Sequence, residues 1–265
     1  MNSLNETPLH LAAKLESCPN KLFKILSSRT DAEKVNIADY FGYTPLHYAA
    51  DVRLPKQKKI KLLLDRGADI NYKTKKGYTA LHFALWHKSV TVAVKMLNHV
   101  KCLDGRKVTV ADVNSNDDYN QTALNYACWW SDIPADVFKI ILEKSTDVNR
   151  QDQFGRTALF VALISKNKVA TEELLKYNRK RVDGTEECVD ANVRKNKNES
   201  ALHWAAAWPN IPVPKPVPLF QAIPDKTANA NAKDDSGSTA LDFAWKYKSK
   251  MADELLGKCK KSEEK

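Results

Sequence analysis

Four histidines, His10, His47, His82 and His203, each stand three residues after a threonine or serine. Imidazoles are common metal ligands, but a metal needs three or four donors converging on one point. Here the rings come one per copy of a repeated phrase, so they are strung along the chain, and a ladder of hydrogen-bonding histidines explains them better than a metal site. Asn125, Phe160 and Asp242 hold the same place in other copies. An imidazole is therefore not chemically obligatory there, and no metal is expected. Cys102 with His99 forms the nearest thiol–imidazole pair. No third orienting group or oxyanion site goes with it, and no Gly-rich phosphate loop exists. We expect no catalytic residue, no cofactor and no enzyme activity.

The phrase that carries the histidines occurs seven times: NETPLHLAA, GYTPLHYAA, GYTALHFAL, NQTALNYAC, GRTALFVAL, NESALHWAA and GSTALDFAW. Its hydroxyl residue is Thr7, Thr44, Thr79, Thr122, Thr157, Ser200 or Thr239, at intervals of 35 to 43 residues. Such a period marks a solenoid. The hydroxyl caps a first helix, Pro8 and Pro45 suit its first turn, and leucine with small alanines supplies a narrow apolar face. A second apolar stretch follows, as in KKIKLLLDRG and VFKIILEK. Helices this short are unstable alone, so neighbouring copies must bury one another. Between copies, segments such as GADINYKTKKG mix Asn, Asp and Gly and suit projecting hairpin-like turns.

These residues resemble the ankyrin repeat family. The matched signature is T-P/A-L-H-x-A-A followed by L-L-x-x-G-A-D-I/V-N, best seen at Leu63 to Asn71, and the resemblance covers essentially the whole chain. It implies an all-α solenoid of stacked helix-turn-helix units with projecting β-hairpin turns, whose turn tips and first helices line a concave face that binds other proteins. We expect a single domain over 1–265, with repeats at about 1–36, 37–71, 72–114, 115–149, 150–193, 194–231 and 232–265.

A longer period is superimposed. Thr44 to Thr122, Thr79 to Thr157 and Thr122 to Ser200 are each 78 residues, so the repeats alternate in two types. CWWSDIP at Cys128 to Pro134 aligns with AAWPNIP at Ala206 to Pro212, and both lengthen the link between helices by about two residues. Five prolines between Pro209 and Pro218 predict a short or displaced second helix in repeat 6. Repeats 3 and 5 carry Asp104-Gly105 and Asp183-Gly184 between alternating runs, which predicts longer β fingers, with a shorter version in repeat 1. A plain solvated loop is the alternative.

The chain has 42 Lys and Arg against 32 Asp and Glu, a net +10. That balance favours an acidic protein partner. A basic adaptor for nucleic acid or an acidic membrane surface is the competing reading, although the cations are dispersed and no nucleic-acid motif is present. Five scattered cysteines form no C-x-x-C, and the sequence contains neither a signal peptide nor a run of about 18 apolar residues. The expected setting is a reducing one, cytoplasmic or nuclear. Ankyrin proteins occur in eukaryotic signalling and as secreted effectors of intracellular bacteria, and the sequence fits either. A monomer with polar end repeats is expected.

Partner-binding residues are expected where the motif meets the concave side. They are Tyr40, Phe41 and Tyr43 in repeat 2, Tyr78 and Trp86 in repeat 3, and Tyr119, Trp129 and Trp130 in repeat 4. Phe154 beside Arg156 in repeat 5 and Trp208 in repeat 6 complete the set. Turn positions usually carry polar residues, whereas Trp, Tyr and Arg dominate binding energy. Trp130 and Trp208 occupy equivalent places beside the lengthened link, where folding into the core is an equal alternative.

Overall fold

The computed structural model describes residues 2–30, 32–51, 57–103, 106–180, 186–190, 193–195, 197–207 and 231–247. Its contacts group into two compact units, Met1–Ser145 and Thr146–Lys265. In the first unit each repeat is a helix pair: α1 Pro8–Lys14 with α2 Asn20–Arg29, α3 Pro45–Ala50 with α4 Gln57–Asp65, α5 Ala80–Trp86 with α6 Val90–Leu97, and α7 Ala123–Trp129 with α8 Ala135–Lys144. The first helices pack on one another in order, α1 on α3, α3 on α5 and α5 on α7, and the second helices form a parallel layer behind them. The second unit holds α9 Ala158–Ile164 with α10 Lys168–Lys176, then α11 Ala201–Ala206 and α12 Ala240–Lys246.

Each first helix begins where the hydroxyl residue stops. Thr7, Thr44, Thr79, Thr122, Ser200 and Thr239 all have extended backbone and share a reciprocal cap with the residue three places on. His47 Nδ1 accepts the Thr44 backbone N–H at 3.1 Å. Asn125 Oδ1 accepts that of Thr122 at 3.0 Å, and Asp242 Oδ2 that of Thr239 at 2.7 Å. Any short side chain with an acceptor therefore closes the cap, which is why His, Asn and Asp interchange here. Phe160 cannot, so only the Thr157 half of the cap remains, and the ring is buried instead. Leu46, Ala49 and Ala50 fill the seam between layers, the alanines allowing close helix approach.

Two residues before each hydroxyl the backbone turns left-handed, with φ between 56° and 83° at Asn5, Gly42, Gly77, Asn120, Gly155, Asn198 and Gly237. Glycine and asparagine are the residues that tolerate this, which accounts for their alternation at that place in the phrase. Neighbouring turns are joined through backbone hydrogen bonds: Tyr40 N donates to Leu4 O, Lys75 N to Phe41 O and Asp118 N to Lys76 O.

The alternation of link lengths is visible in the helix ends. Residues 87–89 join α5 to α6 and 165–167 join α9 to α10, turned by Lys88 and Lys166 at positive φ. Residues 130–134 join α7 to α8, with Pro134 as the cap of the second helix. Repeat 1 uses the longer link too, over 15–19, capped by Pro19. The proline-rich second helix expected in repeat 6 lies outside the described residues.

Both fingers are antiparallel pairs, β1 Val100–Leu103 with β2 Arg106–Thr109 and β3 Asn178–Lys180 with β4 Glu186–Cys188. The Asp-Gly dipeptides themselves lie outside the described residues. The asparagine that ends the preceding repeat captures each returning strand. Asn71 Nδ2 donates to Val110 O at 2.8 Å, and Asn149 Nδ2 to Cys188 O at 2.8 Å. Repeat 1 has no finger; its segment is a short 3-10 turn, Ala32–Asn36, because no Asp-Gly is present to reverse the chain.

Repeat 1 also departs from the polar end expected of it, since Leu4, Leu11, Leu15, Leu22 and Ile25 are exposed. Fifteen residues after the hydroxyl, Leu22 matches Val137 in repeat 4 and Lys59 in repeat 2. Those two are buried under the preceding repeat's side of the stack. Lys59, only 3% exposed, lies over the Phe23 ring at 5.4 Å and donates to Ala12 O at 2.9 Å and Leu15 O at 2.8 Å. Its ammonium thus satisfies the open carbonyls at the end of α1.

Candidate partner-binding surface

The turn tips are built around one side chain each. Asp39 Oδ1 accepts the backbone N–H of Phe41 at 2.9 Å and of Tyr43 at 2.8 Å, and Asp117 Oδ1 does the same for Tyr119 and Gln121. Holding the backbone inward turns the side chains at the apex outward. Tyr40, 62% exposed, and Phe41 meet edge to face at 5.2 Å, and Lys75 Nζ from the next tip sits 4.3 Å above the Tyr40 ring. Tyr119 is exposed at the third tip. Lys73 and Lys76 stand exposed between these rings, so the row reads aromatic, basic, aromatic.

Trp86 and Trp129 close successive first helices and are 65% and 38% exposed. The Trp86 ring lies 5.9 Å from Tyr126. Trp130, one residue later, is 3% exposed: it ends α7, its carbonyl takes the Ile133 N–H at 3.1 Å, and the ring fills the core beside the long link. That burial removes Trp130 from the exposed set. Trp208 lies outside the described residues. Tyr43 and Tyr78 are half-buried, packed at 5.4 Å and 5.5 Å against Phe83. In the second unit Phe154 is exposed at its tip, with the Arg156 guanidinium 4.6 Å over the ring and also bound to Asp152 Oδ2 through Nε at 2.8 Å and a terminal nitrogen at 2.7 Å.

A second row of rings was not anticipated from the sequence. Four residues after the hydroxyl stand Tyr48, Phe83 and Tyr126 in the first unit and Trp204 and Phe243 in the second, all half-buried or buried. Tyr48 and Tyr126 donate their hydroxyls to Asp39 Oδ2 at 2.6 Å and Asp117 Oδ2 at 2.7 Å. Burial and these carboxylates push both phenols above their ordinary pKa. The motif's first small-residue neighbour, aromatic in five of seven copies, was the available signal.

The histidines form the expected ladder. Because each Nδ1 accepts its cap's backbone N–H, Nε2 carries the proton, and in three of the four rings it donates across to the next repeat, whereas the buried His82 Nε2 has no hydrogen-bond partner among the described residues. His10 reaches Tyr43 O at 3.0 Å, His47 reaches Tyr72 O at 2.9 Å and Tyr78 O at 3.1 Å, and His203 reaches Ser238 O at 3.2 Å. Burial holds His47 and His82 neutral, lowered to about 4 from the usual 6.5. Among the described residues no three or more His, Cys, Asp and Glu are grouped to hold a metal. Cys128 is buried, which raises its thiol pKa, and the Cys102 side chain lies outside the described residues. No helix among the described residues is long and apolar enough to cross a membrane.

Comparison with known proteins agrees with this architecture. The family described as "Ankyrin repeats (3 copies)" matches residues 1–74, 52–152 and 133–215. An ankyrin repeat protein of Acanthamoeba polyphaga mimivirus is 29% identical over 115 residues, 43% of this chain and 13% of that protein. One of fowlpox virus (strain NVSL) is 35% identical over 121 residues, 46% of this chain and 25% of its own. This chain therefore spans only a fraction of the length of these relatives. The crystal structure of the ankyrin repeat domain of Bcl-3, a member of the IkappaB protein family, superposes with a TM-score of 0.64 at 23% identity, over 95% of this chain and 98% of that one, which is a likeness of fold. Ankyrin repeats are in general non-catalytic modules of protein–protein interaction, and with most of its length matched, this chain belongs to the ankyrin repeat family.

Proposed function

We propose that this chain is a non-catalytic adaptor that binds a partner protein, acidic at its contact surface, on the aromatic tips and first-helix ends of repeats 2 to 4. The observation that carries this reading is the exposure of Trp86 and Trp129 at matching helix ends while Trp130 beside them is buried. Folding has already covered the ring that the core needs. Two exposed indoles at successive repeats are of the side-chain type that dominates interface energies. Lys75, fixed over Tyr40, and the flanking Lys73 and Lys76 supply the cations for an acidic partner. Cys18, Cys128 and Cys188 are free thiols, which fits work as a monomer in the cytoplasm or nucleus, including that of a host cell into which an effector is delivered.

The test is paired. Proteins retained from cytosol by the full chain should be lost, at least tenfold, with Trp86→Ala and with Trp129→Ala, while helix content and melting midpoint hold. Retention should persist at raised salt. A nucleic-acid adaptor would instead lose its ligand steeply with salt and be insensitive to the two indoles.

A further inference from the structure

Five of the seven turns, all but those with Thr74 and Lys195 in that place, use the first side-chain oxygen of an Asn or Asp in the same way, and at four of the five the second atom has a side-chain partner among the described residues. Asn2, Asp39, Asp117, Asp152 and Asp234 each accept two backbone N–H groups of their own turn through Oδ1. The second atom then meets an internal partner: Glu6 for Asn2 Nδ2 at 2.7 Å, the Tyr48 and Tyr126 hydroxyls for Asp39 and Asp117, and the Arg156 guanidinium for Asp152. At Asp234 the chain supplies neither donor. The residue four after the hydroxyl is Phe243 instead of tyrosine, and the one before the hydroxyl is Ser238 instead of arginine. In that place the structure has a cavity of about 520 Å³, lined by Asp234, Asp235, Asp242, Phe243, Lys197 and Lys246 among others.

We infer that this cavity in the second unit is a receptor for a guanidinium group, an arginine side chain presented by a bound protein. The occupant is specified by repeat 5, where the chain's own Arg156 satisfies the equivalent oxygen with two nitrogens. Guanidinium suits the site better than ammonium because a planar fork reads one carboxylate oxygen while its face lies against a ring, here Phe243. Glu199 adds to the wall's carboxylates, four against the two ammonium groups of Lys197 and Lys246, which leaves it net acidic. Asp242 Oδ2 caps Thr239, and Glu199 Oε2 accepts from the Trp204 indole and from Lys195 at 2.6 Å; among the wall's carboxylates Asp234 is the one that stands where Asp152 binds Arg156 in repeat 5.

This site extends the protein-binding reading to a second contact and is tested apart from it. The isotopically labelled full chain is titrated with Nα-acetylarginine amide up to tens of millimolar, and separately with the neutral isostere Nα-acetylcitrulline amide. Saturable shifts are expected at the backbone amides of Ser236 to Thr239 with the arginine compound alone, and none at Phe41 to Tyr43, where Tyr48 already holds Asp39. Phe243→Tyr should place a hydroxyl on Asp234 as Tyr48 does on Asp39, weakening the response at least tenfold in a folded protein. Asp234→Asn should abolish it. No response at 236–239 in the parent chain, an equal response to citrulline, or a Phe243→Tyr chain that binds as the parent does would each overturn the assignment. Because the readout is local to repeat 7, its failure leaves binding through Trp86 and Trp129 standing, and failure of the latter leaves this site standing.

Discussion

The Tyr48 hydroxyl donates to the Asp39 carboxylate at 2.6 Å, tying the middle of a first helix to the base of the turn that precedes it. Asp39 is buried, and its other oxygen holds the tip that displays Tyr40 and Phe41. One carboxylate thus fixes both the helix and the surface rings, and its full hydrogen-bonding is what makes its burial tolerable.

Removing that hydroxyl leaves a buried carboxylate oxygen short of a donor. Tyr48→Phe and Tyr126→Phe should each destabilise the chain by about 1–3 kcal/mol. Phe243→Tyr should do the reverse, raising the urea midpoint, since it adds the missing donor. Equal midpoints for all three variants would remove the hydroxyl–aspartate pair as a stabilising element.

Acid should unfold the first unit through its histidine ladder. His47 and His82 titrate near 4 in the fold against 6.5 when exposed, so they are neutral in the native state and take up protons on unfolding. Stability is therefore complete above pH 6.5 and falls as pH drops toward 4, by on the order of 3 kcal/mol for each ring. His10 and His203 are lowered too and act in the same sense. His47→Asn with His82→Asn, the substitution that Asn125 makes naturally, should flatten the profile of urea midpoint against pH.

Alanine scanning of two glycines separates strain from crowding. A Cβ on Gly42 would lie 2.6 Å from the Lys75 backbone nitrogen, whereas one on Gly237 meets nothing within 4 Å. Both have positive φ, 83° and 80°. Gly237→Ala should cost only the left-handed penalty of about 1–2 kcal/mol. Gly42→Ala should cost clearly more, because two turns must part, and the difference in thermal midpoint measures that contact.

Replacing 100–109 by a short turn should leave helix content and the unfolding midpoint nearly unchanged. The β1–β2 finger follows a complete repeat, and lengthening a loop costs only about 0.6 kcal/mol per doubling. Loss of the fold would place the finger in the core. Asn71 keeps its structural task only if the replacement restores a carbonyl where Val110 stands.

Repetition made most of the helix pairs and both fingers readable in the sequence. A hydroxyl cap or an Asp-Gly acts over three or four residues, and the same local signal recurs in register. The fates of Trp129 and Trp130 were harder to read, because adjacent rings at the end of a helix differ by about 100° of rotation. The Tyr48 row was overlooked because its partner, Asp39, is nine residues upstream, and a polar turn residue reads equally well as solvated surface. The apolar face of repeat 1, expected to be polar, escaped notice for another reason: the type of Leu22 suits a stacked face, and only the neighbours reveal that nothing described lies over it.

Lys59 supplies the molecule with its own reporter of partial opening. An amine held against Ala12 O and Leu15 O cannot meet an acylating reagent until α1 parts from α4, whereas exposed amines such as Lys14 and Lys88 react at once. The rate at which Lys59 becomes labelled in native buffer therefore measures how often the first repeat peels away, independently of global unfolding. A ligand that clamps repeats 1 and 2 together would slow that clock without changing a single spectrum of the folded state.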